Sequence, residues 1–320
     1  RLVEAGLSLC PRCGAALAGH AGGLDGLRSP DLSGALASGP TGNDSLAGFG
    51  GSRVVLHGRY QVLDTLGAGG MGTVYRANDL QGWQHVALKV LDAELVAHPS
   101  ARRRMEQEAS AMCRVNHPNV VRLLDTFDHG GQLVLVLELV GGGTLGHHIG
   151  QAGLPEEQVV PWMCGILAGL QAIHEAGLVH RDIKPDNVLL TETGVPKLAD
   201  LGVAREMRPG QNRMETRLGA RIGTAAYMSP EQVQGLPVDA RSDLFSAGIL
   251  AFEMVTGQRA FDAPSESEVM AAIVREEPAL ELLEDCCSDE LRDVIAQALA
   301  KHPDDRFASA WAMSRALQSV

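Results

Sequence analysis

Three side chains that could act together on a phosphoryl group lie within one stretch of eight residues. Residues 180 to 187 read HRDIKPDN, which includes Asp182, Lys184 and Asn187. Asp182 could accept the proton of a hydroxyl group, Lys184 could neutralise a phosphate, and Asn187 offers an oxygen to a hard cation such as Mg²⁺. The alternative is a polar loop between two core elements. The choice depends on whether the rest of a phosphoryl-transfer site lies upstream and downstream.

A glycine-rich turn lies upstream, where residues 66 to 74 read LGAGGMGTV. At Gly67, Gly69 and Gly72 the absence of side chains lets backbone N–H groups approach phosphate oxygens closely. The same glycine spacing occurs in dinucleotide-binding folds and in plain hairpins. Here a predicted strand follows the turn instead of a helix, and the turn contains no Gly-Lys-Ser/Thr sequence, which disfavours the dinucleotide and P-loop alternatives.

Lys89 ends the sequence VALK in an otherwise apolar strand, where an unpaired ammonium group would be costly to bury. We expect Glu108, in a helical stretch over 101–114, and the phosphates of a nucleotide to be its anionic partners. The alternative is an edge-strand lysine whose ammonium group reaches solvent. The glycine turn upstream favours the nucleotide interpretation.

Asp200 begins an Asp-Leu-Gly sequence thirteen residues after Asn187. The two side chains together offer metal ions two oxygen-bearing groups, which suits Mg²⁺ because this ion keeps several waters and accepts few protein ligands. The alternative is an Asp that starts a turn, because a glycine follows closely. The position of Asn187 in the sequence favours the metal role.

Two groups of predicted elements surround these residues. Strand-like patterns cover residues 60–66, 72–78, 85–91, 120–127 and 132–139, and one helical stretch over 101–114 interrupts them. After the glycines at 141–143, helical patterns cover residues 156–176, 239–256, 266–275, 288–300 and 309–318. The sequence therefore predicts an α+β fold, with a small, mostly β lobe followed by a larger, mostly α lobe.

The composition fits a soluble globular protein and excludes several other classes. The formal net charge of −12 over 320 residues argues against a broad nucleic-acid-binding surface, because phosphate backbones are held by clustered Lys and Arg. No apolar run is long enough for a transmembrane helix and no signal peptide is evident, so we expect a cytoplasmic protein with no membrane span in this chain. The six cysteines do not resemble a secreted disulfide framework.

The first 58 residues differ in composition from the rest of the chain. Residues 21–58 are rich in Gly, Ser and Ala, which predicts a flexible linker. Within residues 1–20, Cys10 and Cys13 resemble one half of a zinc ribbon, in which two thiolates grip one side of a tetrahedral ion. A complete site needs four ligands, and only His20 lies nearby as a third. Zn²⁺ binding therefore stays open against a structureless tail or half of a site that is completed elsewhere.

The order of these pieces resembles the eukaryotic-like, or Hanks-type, Ser/Thr protein kinases, in particular their bacterial members. The resemblance covers residues 60 to 317, and its motifs are highly specific in combination. It implies the two-lobed protein kinase fold, with the N-lobe over 59–140 and the C-lobe over 141–320. It also implies ATP as the phosphoryl donor, Mg²⁺ as the metal with Mn²⁺ as an alternative, and protein substrates.

The resemblance implies a nucleotide-binding role for residues of both lobes. Gly67, Gly69 and Gly72 would cover the ATP phosphates. Lys89 would pair with Glu108. The other implied ATP-binding residues are Leu66, Val74, Ala87, Leu137, Glu138, Val140 and Leu189.

The resemblance also implies the residues of the transfer step. Asp182 would orient and deprotonate the acceptor hydroxyl, and Lys184 would steady the γ-phosphate. Asn187 and Asp200 would hold Mg²⁺. An apolar spine between the lobes would consist of Met112, Leu123, His180 and Leu201.

Three charged residues further along the chain are implied to support the site. Glu231, at the end of the sequence MSPE, would form an ion pair with Arg306. Asp243 would be a buried carboxylate that holds the 180–187 loop from below. Ordinary surface charge is the alternative, but Asp243 lies on a strongly apolar helix, where an unpaired carboxylate would be costly.

The substrate type and the mode of control follow from the residues around Asp182. Lys184 and Thr224 resemble those of kinases that phosphorylate Ser or Thr. Arg181 is a cation beside a catalytic carboxylate, and a phosphothreonine could neutralise it. Thr216 is the one hydroxyl residue in the 203–222 stretch, with Arg205 as a second contact for its phosphate. The hypothesis is activation through phosphorylation of Thr216 by a second copy of the chain, which requires self-association.

A pseudokinase or scaffold with the same fold is the competing interpretation. Pseudokinases normally lack at least one of the nucleotide lysine, the catalytic aspartate and the metal aspartate. All three are present here as Lys89, Asp182 and Asp200. The sequence therefore favours an active enzyme.

Overall fold

The computed structural model describes residues 54–69, 72–82, 84–93, 99–200 and 225–320. In the helix that begins at Pro99, the side chains at 99–101, 104 and 108 lie outside the description. Within the described ranges, the chain folds into a sheet-rich part followed by a mainly helical part. This arrangement confirms the predicted α+β fold with two lobes.

The first lobe is built on one antiparallel sheet. Its strands are β1 (Val55–Leu56), β2 (Tyr60–Gly69), β3 (Gly72–Asp79), β4 (Gln84–Leu91), β5 (Leu123–His129) and β6 (Gln132–Glu138). They lie in the order β1-β2-β3-β4-β6-β5. Helix α1 (Pro99–Met112) lies between β4 and β5 in the chain. The central strand β4 is buried from Val86 to Leu91, so its one lysine, Lys89, is held inside the lobe.

The second lobe is mainly helical. Its elements are α2 (Glu156–Glu175), β7 (Val188–Leu190), β8 (Pro196–Leu198), α3 (Pro230–Gln234), α4 (Ala240–Thr256), α5 (Glu266–Arg275), α6 (Asp289–Ala298) and α7 (Ala310–Leu317). Four of these helices begin after a serine whose side chain accepts a hydrogen bond from a backbone N–H of the first turn; these caps are Ser229, Ser265, Ser288 and Ser309. Such caps satisfy N–H groups that have no partner within the helix.

One continuous apolar core extends from the first lobe into the second. It includes Met105 and Met112 of α1 and Leu123 of β5, together with residues of α2 and α4. Helix α4 is buried along almost its whole length. A second cluster around Tyr60 and Phe127 fills the other face of the sheet. The core therefore joins α1 to the elements that carry the 180–187 loop.

The structure differs from the predicted elements at a few points. Strand β5 begins at Leu123 and not at residue 120, because Val120 and Val121 contact β8 of the second lobe: Val120 forms a single parallel bridge with Leu198, and the Val121 N–H donates to the Leu198 carbonyl. The sequence patterns do not predict strands β1 and β7 or helix α3, which have two, three and five residues, too few for a periodic pattern. None of the helices in the described ranges is long and apolar enough to cross a membrane.

Candidate active site

The 180–187 loop brings its three predicted side chains together. Lys184 Nζ lies 3.0 Å from Asp182 Oδ2, and Asn187 Nδ2 donates to the same oxygen at 2.9 Å. Asn187 also donates to the backbone carbonyl of Asp182 at 2.8 Å. The short 3-10 helix Pro185–Asn187 turns Asn187 back toward Asp182. Asp182 and Asn187 are both buried, so the carboxylate is fixed in orientation before any ligand binds.

Asp243 holds the backbone of this loop. Its Oδ2 accepts a hydrogen bond from the His180 N–H at 2.8 Å, and its Oδ1 accepts one from the Arg181 N–H at 2.7 Å. Arg181 has φ of 65°, in the left-handed region that non-glycine residues rarely adopt. Such a conformation costs about 1–3 kcal/mol and persists where the surrounding structure imposes it. Asp243 therefore keeps the residue before Asp182 in a strained conformation.

His174 is a third partner of Asp243 that the sequence did not reveal. Its Nε2 lies 2.8 Å from Asp243 Oδ2, and both side chains are buried. His174 lies in the last turn of α2, six residues before His180. The available signal was a histidine among the apolar residues of a helix, which more often indicates an ordinary core residue.

His180 connects the loop to the strand that precedes Asp200. Its ring is fully buried, and burial lowers the pKa of the imidazole, so the ring is neutral. Nε2 lies 3.0 Å from the Ala199 carbonyl, and Nδ1 lies 3.4 Å from the Asp182 N–H. Both contacts fit a tautomer whose proton is on Nε2. His180 thus contributes a hydrogen bond. The apolar spine stays a prediction: Met112 and Leu123 are buried, and Leu201 lies outside the described residues.

Lys89 and Asp200 form an ion pair across the two lobes. Lys89 Nζ lies 2.7 Å from Asp200 Oδ1; the lysine side chain is 11% exposed and the aspartate 39%. Asp200 has a left-handed φ of 55°. The sequence suggested Glu108 as the anionic partner of Lys89, and the Glu108 side chain lies outside the described residues. The pairing of Lys89 with Glu108 stays a prediction, and the contact with Asp200 is an addition to it.

The donor set at Asn187 and Asp200 fits a hard cation. The Asn187 amide nitrogen is engaged by Asp182, which leaves the amide oxygen as the donor for a metal. Asp200 adds a half-exposed carboxylate, and the Ala199 N–H donates to the Asn187 carbonyl at 2.8 Å, which ties the two segments together. Two oxygen ligands suit Mg²⁺, which completes its coordination with water and phosphate. Among the described residues, no cluster of three or more His, Cys, Asp and Glu side chains offers a different metal site.

The glycines of the predicted phosphate turn have different structural demands. A Cβ added at Gly72 would lie 2.0 Å from the Val90 carbonyl oxygen, and Gly72 has φ of 137°, so the fold itself requires glycine there. A Cβ added at Gly67 or Gly69 would meet nothing within 4 Å. Packing therefore gives no reason for glycine at these two positions, and close approach of a ligand gives one.

The residues predicted to bind ATP around the adenine lie on five strands, β2, β3, β4, β6 and β7, and on the segment after β6. Register pairs Val74 with Lys89 on β4 and Ala87 with Leu137 on β6. Leu189 lies on β7, opposite Lys197 of β8. Ala87 is buried and Leu66 is half exposed. The remaining residues of the set, Glu138 and Val140, lie at and just after the end of β6.

Glu231 and Arg306 form a buried ion pair, the pairing expected from the sequence. Arg306 Nη1 and Nη2 lie 2.8 and 2.9 Å from the two Glu231 oxygens, and the Ser242 hydroxyl donates to the same carboxylate. The guanidinium also donates to the carbonyls of Ala300, Arg241 and Lys301. Burial would raise the pKa of Glu231, but Arg306 and Ser242 outweigh it and hold that pKa below its ordinary value. The alternative of ordinary surface charge is therefore wrong for this pair.

Several predicted positions lie outside the described residues. These are Cys10 and Cys13, and Arg205, Thr216 and Thr224. Arg181 is described: its carbonyl accepts a hydrogen bond from Gln232 Nε2 of α3 at 3.0 Å. Its backbone is thereby tied both to α4 through Asp243 and to α3.

The family of the chain follows from comparison with known proteins. The family model described as "Protein kinase domain" matches residues 60–318. The chain belongs to the protein kinase family. It is similar to "Probable serine/threonine-protein kinase SCO3848" of Streptomyces coelicolor, with 42% identity over 262 residues, which cover 80% of this chain and 39% of that protein. It is also 37% identical to "Serine/threonine-protein kinase PknL" of Mycobacterium tuberculosis over 268 residues, which cover 83% of this chain and 66% of PknL.

A solved structure supports the same assignment. The kinase domain of Mycobacterium tuberculosis PknI, as a cysteine-to-alanine mutant, superposes with a TM-score of 0.67 at 28% identity, over 85% of this chain and 99% of that domain. The chain spans between about two fifths and two thirds of the length of the curated relatives above. Protein kinases use ATP and Mg²⁺, and the two curated relatives named above are described as Ser/Thr protein kinases of bacteria.

Proposed function

We propose that this chain transfers the γ-phosphoryl group of ATP to Ser and Thr hydroxyls of proteins. The observation that carries the proposal is the fixed orientation of Asp182 by Lys184 and Asn187, next to a metal-compatible pair of oxygen ligands. Phosphoryl transfer needs little covalent chemistry from the protein, so positioned charges of this kind supply most of the catalysis.

The proposed step assigns one task to each side chain of the loop. Asp182 accepts the proton of the acceptor hydroxyl while the oxygen bonds to the γ-phosphorus and ADP leaves. Lys184 neutralises charge on the transferred group, and its contact with Asp182 keeps the ammonium beside the reacting oxygen. Asn187 and Asp200 hold Mg²⁺, or Mn²⁺ as the alternative. When bound, this metal neutralises negative charge on the phosphates of ATP.

Nucleotide binding is proposed to involve both lobes. Gly67 and Gly69 allow the turn after β2 to approach the phosphates, which agrees with the open space around them. Lys89 lies inside the lobe and pairs with Asp200. A phosphate of the nucleotide could bind the same ammonium group, and Glu108 is its other proposed partner. The adenine would lie among the apolar side chains of Leu66, Val74, Ala87, Leu137 and Leu189 and against the backbone of Glu138 and Val140.

Control is proposed to act through Arg181. Phosphorylation of Thr216 by a second copy of the chain would place a phosphate beside Arg181 and Arg205, while Thr224 contributes to recognition of the acceptor. Arg181 suits this role because its backbone is held by Asp243 and by Gln232, which immediately follows Glu231 of the MSPE sequence. A conformational change in the segment that contains Thr216 could therefore act through Gln232 on Arg181, and so on Asp182, which is the next residue. Self-association, a cytoplasmic location and Zn²⁺ binding by Cys10 and Cys13 stay predictions.

The first test compares Asp182→Asn with the wild-type protein in a radioactive-phosphate assay on dephosphorylated casein. Asparagine keeps the size of the side chain but cannot take a proton, so we expect a loss of about 10²–10⁴-fold in transfer rate. Asp262→Asn, at an exposed surface carboxylate, is the matched control and should retain activity. Equal incorporation by Asp182→Asn and wild type would indicate a contaminating kinase. No incorporation by any of the three proteins would favour a pseudokinase or scaffold.

The second test concerns Thr216. Phosphatase treatment of the wild-type protein should lower its specific activity about tenfold, because each lost charge-assisted contact to phosphate weakens the active arrangement. Thr216→Ala should show the low activity without treatment, while Thr193→Ala, at an exposed threonine between β7 and β8, should behave like wild type. Unchanged specific activity of Thr216→Ala would rule out this mode of control.

A further inference from the structure

An ion pair that the sequence did not reveal joins the end of β6 to β8. Lys197 Nζ lies 2.6 Å from Glu138 Oε1. The side chains are 16% and 30% exposed, so solvent screens the pair less than it screens a surface ion pair. Glu138 is the last residue of β6, and Lys197 is the middle residue of β8, between two buried neighbours. The contact therefore links the two lobes.

Backbone hydrogen bonds tie both strands to the same connecting segment, residues 119–122. On one side, the Leu198 N–H of β8 donates to the Asn119 carbonyl at 2.8 Å. On the other, the Glu138 N–H of β6 donates to the Arg122 carbonyl at 3.0 Å. The ion pair closes a triangle whose other two sides are these backbone contacts. Its removal would take away this direct contact between the end of β6 and β8.

Two positions of the proposed adenine site lie next to this third side. The backbone of Glu138 would bond the edge of the adenine, and Leu189 would contact its face. Leu189 is the register partner of Lys197 in the β7–β8 pair. The separation of β6 from the β7–β8 pair thus determines the distance between these two contacts. A displacement of about 1 Å is enough to weaken binding or catalysis where contacts must be made simultaneously.

We propose that the Lys197–Glu138 ion pair sets the spacing between the end of β6 and the β7–β8 pair, and thereby determines the affinity for the adenine nucleotide. The inference rests on the proposed ATP-dependent function. Lys197 and the Glu138 carboxylate are positioning residues, which act through Leu189 and through the Glu138 backbone. They contribute to nucleotide binding and not to the transfer step, because Asp182 is oriented by its own contacts with Lys184 and Asn187.

The test is a double-mutant cycle with Lys197→Met and Glu138→Gln in the full chain. Calorimetric titration with Mg-ADP measures Kd without any requirement for transfer. Each single substitution should raise Kd and the KM for ATP about threefold to tenfold, with kcat unchanged within about twofold. The double variant should bind no more weakly than the weaker single variant, because each single change already breaks the pair. The exchanged pair Glu138→Lys with Lys197→Glu should recover part of the affinity.

Controls separate this role from general destabilisation and from failure of the proposed function. Arg292→Met removes an exposed ion pair with Asp289 on α6 and should leave Kd unchanged. Single variants that bind Mg-ADP like wild type, additive losses in the double variant, or a fall in kcat at constant Kd would each overturn the inference. A wild-type protein that binds Mg-ADP but transfers no phosphate would refute the kinase proposal and still allow the cycle. A wild-type protein that binds no nucleotide would refute both.

Discussion

A cluster of charged and polar side chains lies on each side of the 180–187 loop, and the two clusters differ in whether a ligand could bind to them. On one side is the site cluster, which we define as Lys89, Asp182, Lys184, Asn187 and Asp200. Lys89 contacts Asp200, and Asp182 contacts both Lys184 and Asn187. The Asp200 side chain is about two fifths exposed. Charges held in this way can exchange a protein partner for a ligand. The cluster is therefore organised but still able to bind phosphate and metal.

On the other side is the support cluster, which we define as His174, Glu231, Ser242, Asp243 and Arg306. Arg306 is completely buried and donates to one carboxylate and three carbonyls, and Asp243 accepts from two backbone N–H groups and from His174. No ligand could replace these contacts without unfolding the region. The comparison shows that similar residue types serve binding where one partner, here Asp200, is accessible to solvent, and stability where every member is surrounded by protein donors and acceptors.

The largest expected effect is at the support cluster. Arg306→Met would leave the buried Glu231 carboxylate with Ser242 as its remaining side-chain partner. Removing one member of a buried ion pair typically costs about 3–5 kcal/mol, so we expect a loss of that size in the free energy of unfolding, measured with urea at neutral pH. The pKa of Glu231 is held below its ordinary value. The ion pair therefore contributes its full stabilisation at any pH above the ordinary pKa of a glutamate, and this contribution is lost as the pH falls through the lowered pKa.

Arg241→Met is the matched control for Arg306→Met. Arg241 pairs with Asp239 and Asp304, whose side chains are more than half exposed, and exposed pairs contribute about 0–1 kcal/mol. Equal losses of stability in the two variants would contradict the distinction between a surrounded and an exposed arginine.

An intermediate effect is expected at the site cluster, on activity and not on stability. Lys184→Met removes an ammonium group whose contact with Asp182 lies in the proposed transfer site. We expect kcat to fall about a hundredfold, equivalent to ~2.7 kcal/mol in the transition state. The free energy of unfolding, measured with urea, should stay within about 1 kcal/mol of the wild-type value. Lys301→Met is the matched control, with activity expected within about twofold of wild type. If Lys184→Met lowered stability as well as activity, the distinction between a site cluster that serves activity and a support cluster that serves stability would be wrong.

Local sequence patterns predicted most of the fold because they record burial along a single element. The alternation in β3, the apolar run of β4 and the apolar patterns of α4 and α5 predict element boundaries within a few residues. The same kind of pattern predicts that β5 already begins at Val120 and Val121. Its partner is β8, which lies more than seventy residues later, and no local pattern carries that information.

The site was predictable as a set of residues and less so as a set of contacts. Asp182, Lys184 and Asn187 lie close in sequence, so their association follows from one turn of the chain. Lys89 with Asp200 and Glu138 with Lys197 are separated by 111 and 59 residues, and each needs both lobes in place. The role of His174 is not predictable from the sequence, because a buried histidine on an apolar helix has no distinctive pattern until its carboxylate partner is known.

The smallest expected effect tests the support cluster through Lys301, whose carbonyl accepts from Arg306. Lys301 Nζ lies over the Phe261 ring and donates to the Ile273 carbonyl, and burial lowers the pKa of this lysine to about 8, with Glu276 and Glu277 opposing and Arg306 reinforcing the shift. Between that value and the ordinary pKa the unfolded chain binds more protons than the folded protein, so stability rises with pH in this window and is lost as the pH falls through about 8.

Methionine at position 301 keeps the contact with the rings but does not titrate. The stability of wild type relative to Lys301→Met, from urea unfolding, should therefore increase by about 1 kcal/mol between pH 7 and pH 9.5, a value reduced for the partial exposure of the ammonium group. Both proteins contain the same thiols and tyrosines, so the contribution of their titration cancels in the difference between the two free energies of unfolding. A difference that stays constant over this range would mean that Lys301 is as well solvated as an exposed lysine. The apolar surroundings of the support cluster would then not include the Lys301 ammonium group, although the Lys301 carbonyl accepts a hydrogen bond from Arg306.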